Sequence, residues 1–170
     1  MTVPHPMTSA KYFRQALDEL NNNNLKQLKT IHKHALDPIV LAHFCERMED
    51  LFYKEALGLP DYTRLAYFND MSVGGIVCRK RPSSQDGKLE IQILTLAVLE
   101  AYRNLGLGTK LVQNAIDQAT ADSAIAQITV YIPVESRALS LFERLGFAKS
   151  DQPVSGYFGS HEAWLLVKQV

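Results

Sequence analysis

The stretch from residue 89 to residue 116 constrains this chain more than any other. LEIQILTLAVL (89–99) alternates polar and apolar at first and then becomes wholly apolar, the pattern of a central strand covered on both faces. A few residues later RNLGLGTKLVQNAI (103–116) places Gly106 and Gly108 where a helix begins, and Leu107, Leu111, Val112, Ala115, Ile116 and Ala119 give that helix a continuous apolar stripe. A glycine costs a helix roughly 1 kcal/mol relative to alanine, so a pair at the first turn calls for compensation. The free N–H groups of a helix start, reinforced by the helix dipole, attract an anion. Bare positions at 106 and 108 would let a bulky diphosphate approach those donors, with Arg103 and Lys110 adding charge. A tight strand-to-helix turn without a ligand would use the same glycines. A Rossmann fingerprint would need a glycine where Leu111 stands, and a P-loop would need a lysine directly after Gly108, so both are disfavoured.

The rest of the chain reads as a frame for that corner. Residues 24–35 carry Leu25, Leu28, Ile31 and Ala35 at helical spacing after an asparagine run that supplies an N-cap. Pro38 ends that helix, and residues 39–57 read as a second one, closed by Gly58 and Pro60. From Thr63 the period falls to two, and TRLAYFND followed by SVGGIVCRK reads as a β-hairpin turning at Asn69 and Asp70. PSSQDGK (82–88) is a further turn. QITVYIPV (127–134) is a strand, SRALSLFERLG (136–146) a short helix with Gly146 as left-handed C-cap, and AWLLVKQV (163–170) a final strand. The predicted fold class is α/β mixed: a central, mostly antiparallel twisted sheet with helices on both faces.

Composition sets the remaining bounds. At 170 residues the chain fits one domain. Eighteen basic and eighteen acidic residues leave no net charge, which removes the bulk-electrostatic case for nucleic acid or an anionic membrane. Cys45 and Cys78 are too few for a disulfide framework and read as apolar fillers. No apolar run reaches the roughly 18 residues of a membrane span, and the N-terminus lacks a signal-peptide core, so a cytoplasmic or nuclear protein is expected. Residues 1–12 read as a tail and 13–170 as the single domain. His32 and His34, two apart on a helix, project to different faces and read as surface residues rather than metal ligands. Arg79, Lys80 and Arg81 read as a solvated hairpin tip rather than an RNA contact.

The pattern Arg103-x-x-Gly106-x-Gly108 after an apolar strand resembles the acetyl-coenzyme A signature of the GCN5-related N-acetyltransferases (GNAT), and SLFERLGF (140–147) resembles their closing signature. LKQLK (25–29), LAYFND (65–70), VGG (73–75) and TLAVLEAYRNLGLGTKL (95–111) resemble more narrowly the N-alpha-acetyltransferase 50 family, the catalytic subunit of NatE, over about residues 13–168. In that alignment residues 13–17 become the first strand. The resemblance implies transfer of acetyl from acetyl-CoA to the α-amino group of a protein N-terminus, typically Met followed by an apolar residue, without metal or acyl-enzyme. It implies cofactor contacts from Leu96, Ala97, Val98, Arg103, Asn104, Leu105, Gly106, Leu107, Gly108, Thr109 and Phe142. Peptide contacts fall to Leu36, Pro38, Leu41, Tyr157 and Phe158.

The same alignment puts substitutions at the reacting centre. The family's catalytic tyrosine falls on Gln92, its catalytic histidine on Val130 or Tyr131, and the superfamily's thiolate-protonating tyrosine on Phe142. Glu90, on the same strand face as Gln92 and about 7 Å away by strand rise, is a tentative base through water. Two readings follow. One is an N-terminal acetyltransferase with weak or lost turnover, acting on nascent-protein N-termini. The other is an inactive acetyl-CoA-binding subunit that docks on the NatA auxiliary and catalytic subunits at the ribosome. A small-molecule or lysine acetyltransferase of the same fold is disfavoured by LAYFND.

Overall fold

The computed structural model describes residues 14–170, so the expected tail and Phe13 lie outside the described residues. The alternating segments form one 8-stranded sheet in the order β1-β2-β3-β4-β5-β8-β6, with β7 also on β8. The strands are β1 Gln15–Glu19, β2 Arg64–Phe68, β3 Met71–Pro82, β4 Leu89–Val98, β5 Ile125–Pro133, β6 Ala148–Lys149, β7 Val154–Gly156 and β8 Gly159–Gln169. All of these pairings are antiparallel except β4 with β5. Helices α1 (Leu25–Ala35), α2 (Pro38–Val40) and α3 (Glu49–Leu57) cover one face; α4 (Leu107–Ala121) and α5 (Leu139–Arg144) cover the other.

Alternation along the strands divides the core accordingly. Ile91 and Ile93 pack towards Leu111, Val112 and Phe142. Leu65, Val77 and Ala97 pack towards Leu28, Ile31 and Phe52. The turn at Asn69 (φ 48°) and Asp70 (φ 67°) holds both residues in the left-handed region that a two-residue hairpin turn of this hand requires. Among the described residues no helix is long and apolar enough to cross a membrane, and both cysteines are buried.

The structure corrects several expectations. Among the described residues the first strand runs from Gln15 to Glu19, past the expected end at residue 17, and Asn69 of the hairpin turn holds the residue before it. Arg14 N–H donates to Asn69 Oδ1 at 2.8 Å, and Asn69 N–H donates to the Arg14 carbonyl at 2.8 Å. Asn24 occupies the N-cap of α1, but its amide donates to the Glu19 carbonyl at 2.9 Å, tying the helix start to β1 instead of capping it. Residues 39–57 are not one helix. The Asp37 carboxylate caps Ile39 N–H at 2.9 Å, and a wide π-helical segment, Leu41–Glu46, follows α2 and buries the consecutive side chains Phe44 and Cys45. Met48, at φ −141°, then breaks the chain before α3.

His32 is not on the surface: it is fully buried, with Nδ1 2.7 Å from the Tyr53 hydroxyl and Nε2 3.0 Å from Thr95 Oγ1. Its place in the stripe, four residues from both Leu28 and Leu36, was visible in the spacing. His34, by contrast, is exposed.

Burial pulls the His32 pKa from 6.5 down to about 3. Between those values the unfolded chain binds more protons than the folded one, so stability rises with pH. The His32 contribution is complete above about 6.5 and is lost progressively as pH falls towards 3. Urea unfolding from pH 3.5 to 7 should show the midpoint climbing with pH, and His32→Gln should flatten part of that climb while costing about 1–3 kcal/mol near neutrality.

Candidate active site

A single extra residue in β4 creates the opening. The β3–β4 register steps from Val77↔Thr95 to Cys78↔Ile93, so Leu94 has no partner in β3. Leu94 packs into the α1-side core, and Thr95 also reaches that face, to His32. A bulge bends its strand and sharpens its twist, and the parallel ladder to β5 ends at Ile93↔Val130. Beyond it the strands part around a cavity of about 50 Å³, bordered by Leu36, Leu94, Leu96, Tyr131, Ile132 and Phe142. Leu99 N–H donates to the Val73 carbonyl at 2.8 Å. Peptide groups alternate sides along a strand, so those of Leu96 and Val98 turn away from β3 into the gap, whereas those of Ala97 stay in the ladder.

The glycine corner stands beside this gap. Gly106, at φ 83°, and Asn104, at φ 64°, are both left-handed. A Cβ at Gly106 would meet nothing within 4 Å, so backbone conformation demands this glycine and its outer side is open. Gly108 is different: a Cβ there would lie 3.2 Å from Leu141 Cδ1, so its bareness lets α5 pack on α4. Leu107, buried in the core, anchors the first turn, while Asn104, Leu105 and Thr109 are exposed. The first N–H groups of α4, from Leu107 to Thr109, have no intrahelical acceptor and face outwards as free donors. The two expected cations are engaged elsewhere. Arg103 Nε donates to the Val98 carbonyl at 2.9 Å and its Nη2 to the Ala35 carbonyl at 3.4 Å, and Lys110 Nζ bonds the Gln15 side chain.

On the α1 side of the gap lies a polar network. Gln92 is buried, donating Nε2 to the Tyr157 hydroxyl at 3.0 Å and accepting from Arg81 Nη1 at 3.4 Å. Glu90 shares that face, but Arg81 Nε stands 3.4 Å from its Oε1 and Gln127 Nε2 donates to its Oε2 at 3.3 Å. Arg81 thus clamps both side chains. Arg79 pairs with Glu55 at 3.0 Å, so the basic run is part of the β3 ladder and its flank rather than a solvated tip. Tyr131 stacks on Tyr157, with ring centroids 3.9 Å apart and planes 14° from parallel. Val130 packs on the opposite, α4, face, so Tyr131 is the β5 residue that looks onto the network. Burial pushes the Tyr157 hydroxyl up to about 12. Phe142 is buried, edge-on to Phe147 at 5.2 Å, and brings no hydroxyl to the gap.

Residues 26–147 match the acetyltransferase (GNAT) family. An uncharacterised N-acetyltransferase of Schizosaccharomyces pombe is 39% identical over 108 residues, 64% of this chain and 70% of that protein. N-alpha-acetyltransferase 50 of Danio rerio is 30% identical over 135 residues, 79% of this chain and 74% of its own length. The structure of Arabidopsis thaliana Naa50 in complex with the bisubstrate analogue CoA-Ac-MVNAL superposes with a TM-score of 0.79 at 27% identity, covering 92% of this chain and 99% of that one. The chain belongs to the GNAT family, in its N-alpha-acetyltransferase 50 branch.

A second opening of this GNAT domain flanks the polar network. An open pocket of about 410 Å³ lies between α2, the π-helical segment and the turn into β8, lined by Pro38, Ile39, Ala42, His43, Phe158 and His161 among others. Tyr157 stands behind it, 5.2 Å from the His43 ring. Of the expected peptide contacts, Pro38 and Phe158 line this pocket, Leu36 borders the β4–β5 gap, and Leu41 is partly buried against the α1-side core. Ile39, Ala42, His43, Arg47 and His161 were not anticipated. The wide helical turn that aims His43 at Tyr157 has no periodic signature, and Gly156, at φ 87°, and Gly159, at φ 63°, were the local signs of a turn beside His161. Among the described residues no cluster of metal-ligating side chains exists.

Gly106→Ala should cost about 1–2 kcal/mol through the left-handed backbone alone, since the added methyl meets nothing within 4 Å. Thermal unfolding of that variant beside Gly108→Ala, whose methyl crowds Leu141, separates backbone strain from packing. Added Leu141→Ala should rescue only the second.

Proposed function

We propose that the protein transfers the acetyl group of acetyl-CoA to the α-amino group of protein N-termini, of the class Met followed by an apolar residue, and does so slowly. The observation that carries this reading is the strand gap: the N–H groups of Leu96 and Val98, turned away from β3, lie between an outward-facing helix N-terminus on one side and an aromatic-walled peptide pocket on the other. The open side of Gly106 admits a diphosphate to the α4 donors, and the N–H groups of the gap suit a thioester carbonyl, whose oxygen gains charge as it is attacked. Cytoplasmic action on nascent chains is the setting this chemistry fits.

The chemistry tolerates the missing side-chain acid and base better than most acyl transfers would. An α-amino group has a pKa of about 7.7–8.0, so roughly a quarter of substrate N-termini are neutral at cellular pH. The neutral nitrogen attacks the carbonyl carbon, the C–S bond breaks, and its surplus proton passes to water. Coenzyme A leaves as a thiolate, and a thiol pKa of about 8.5 makes that a tolerable leaving group without a proton from position 142. Glu90, held by Arg81 and Gln127, acts as an ion-pair partner in this scheme. Orientation and main-chain polarisation supply the acceleration.

Gln92, Tyr131 and Phe142 favour a second reading, in which the domain holds acetyl-CoA and docks on the NatA subunits at the ribosome with no turnover. Calorimetric titration with acetyl-CoA and acetylation of a Met-Leu peptide by the purified protein separate the two. Binding with product supports the enzyme, binding without product supports the docking subunit, and neither overturns both. If the enzyme reading holds, kcat/KM should rise with pH along one titration near 8, that of the peptide amine, because no side chain here serves as base.

A further inference from the structure

The pocket beside the peptide entrance has an asymmetric charge. Its floor is apolar, from Pro38, Ile39, Ala42 and Phe158, and its polar rim consists of His43, Arg47 and His161, with no carboxylate among the lining residues. Arg47 is exposed, and among the described residues it has no hydrogen bond or ion pair, whereas Arg79 and Arg81 are paired with Glu55 and Glu90. Asp37, next in sequence to Pro38 of the floor, lies outside the lining and accepts Ile39 N–H at 2.9 Å. Glu46 and Glu162 are exposed and lie outside the lining.

His43 is packed edge-on against Phe44 at 4.6 Å and Phe158 at 5.2 Å, so its ring serves as a wall. Burial lowers its pKa first, and the charges of Arg47 and Arg79 lower it further. The imidazole is therefore neutral at pH 7, and the positive field that suppresses its protonation remains available to a ligand. A side chain suited to this pocket has a methylene stem for the floor and a carboxylate for the rim.

We propose that this pocket is a specificity subsite for a glutamate side chain in the substrate peptide, downstream of the residue that follows the initial methionine, with Arg47 as the specificity-determining residue. The inference rests on the N-terminal acetyltransferase reading for the presence of a peptide at this entrance.

The test is fluorescence anisotropy of peptides labelled at the C-terminus, beginning Met-Leu and carrying Glu, Gln or Lys at position three, four or five, with the protein saturated in coenzyme A. At one position the Glu peptide should bind about two- to fivefold tighter than its Gln counterpart, the range of a solvent-facing ion pair. That preference should fade in 0.5 M salt. Arg47→Glu, at an exposed site where folding is not at risk, should invert the order in favour of Lys. Equal affinities for Glu and Gln at every position, or an order unmoved by Arg47→Glu, overturn the subsite and leave the acetyltransferase reading intact. If no peptide binds, neutral ones included, the subsite and the peptide-entrance reading beneath it are both overturned.

Discussion

The parting of β4 from β5 is the constraint on which the site depends. Two parallel strands in the middle of a sheet would normally pair along their length, and each buried peptide group left without a partner costs about 1–3 kcal/mol. Here the ladder stops at Ile93↔Val130 although β4 continues to Val98 and β5 to Pro133. The extra residue at Leu94 makes the separation hold, because it turns two successive side chains to the α1 face and rotates the following peptide groups out of line with β5. The unpaired donors face a small cleft instead of dry core, which turns a structural cost into a place where a polar carbonyl is welcome.

What keeps the bulge from relaxing into regular pairing is the packing of α1 behind it. Thr95, the second residue of the bulge, is held by His32, which is held by Tyr53 of α3, so a buried chain of hydrogen bonds runs from the strand through two helices. Tyr53 also sits near Cys45, at the end of the π-helical segment that presents His43 to the peptide pocket. Arg103 adds a tie from the far end, binding the carbonyls of Val98 and Ala35 and so joining the last residue of β4 to the last of α1. The cleft and the pocket are thus parts of one braced unit, and Arg103 ties its far end together.

Sequence periodicity made most of this frame legible. The strand from Leu89, the helix from Leu107 and the hairpin at Asn69 and Asp70 each carry a repeat or a turn signature that few alternatives satisfy. It was silent where structure depends on aperiodic events. The bulge at Leu94 is a register shift between strands distant in sequence, invisible within a single apolar run. The π-helical turn at Leu41–Glu46 changes which side chains share a face, and so brings His43 to the open pocket without a periodic signature. His32 was misplaced because a polar residue was weighed by type instead of by its position in the stripe, and a histidine satisfied at both nitrogens is as much a core residue as a leucine.

The substitutions at Gln92, Tyr131 and Phe142 bear on how the family's chemistry is divided between main chain and side chain. On the proposed reading, the groups that would polarise a thioester and hold a diphosphate are backbone N–H donors, fixed by strand register and by the left-handed Gly106, so they do not depend on side-chain identity. The groups that the alignment exchanges would move protons, and in the proposed reaction water and the amine's own equilibrium would do so at modest loss. Gln92 instead holds the Tyr157 hydroxyl in place, and Tyr157 in turn stacks on Tyr131 beside His43. On that reading, position 92 serves the wall of the pocket in place of proton transfer, and acceleration would rest on orientation.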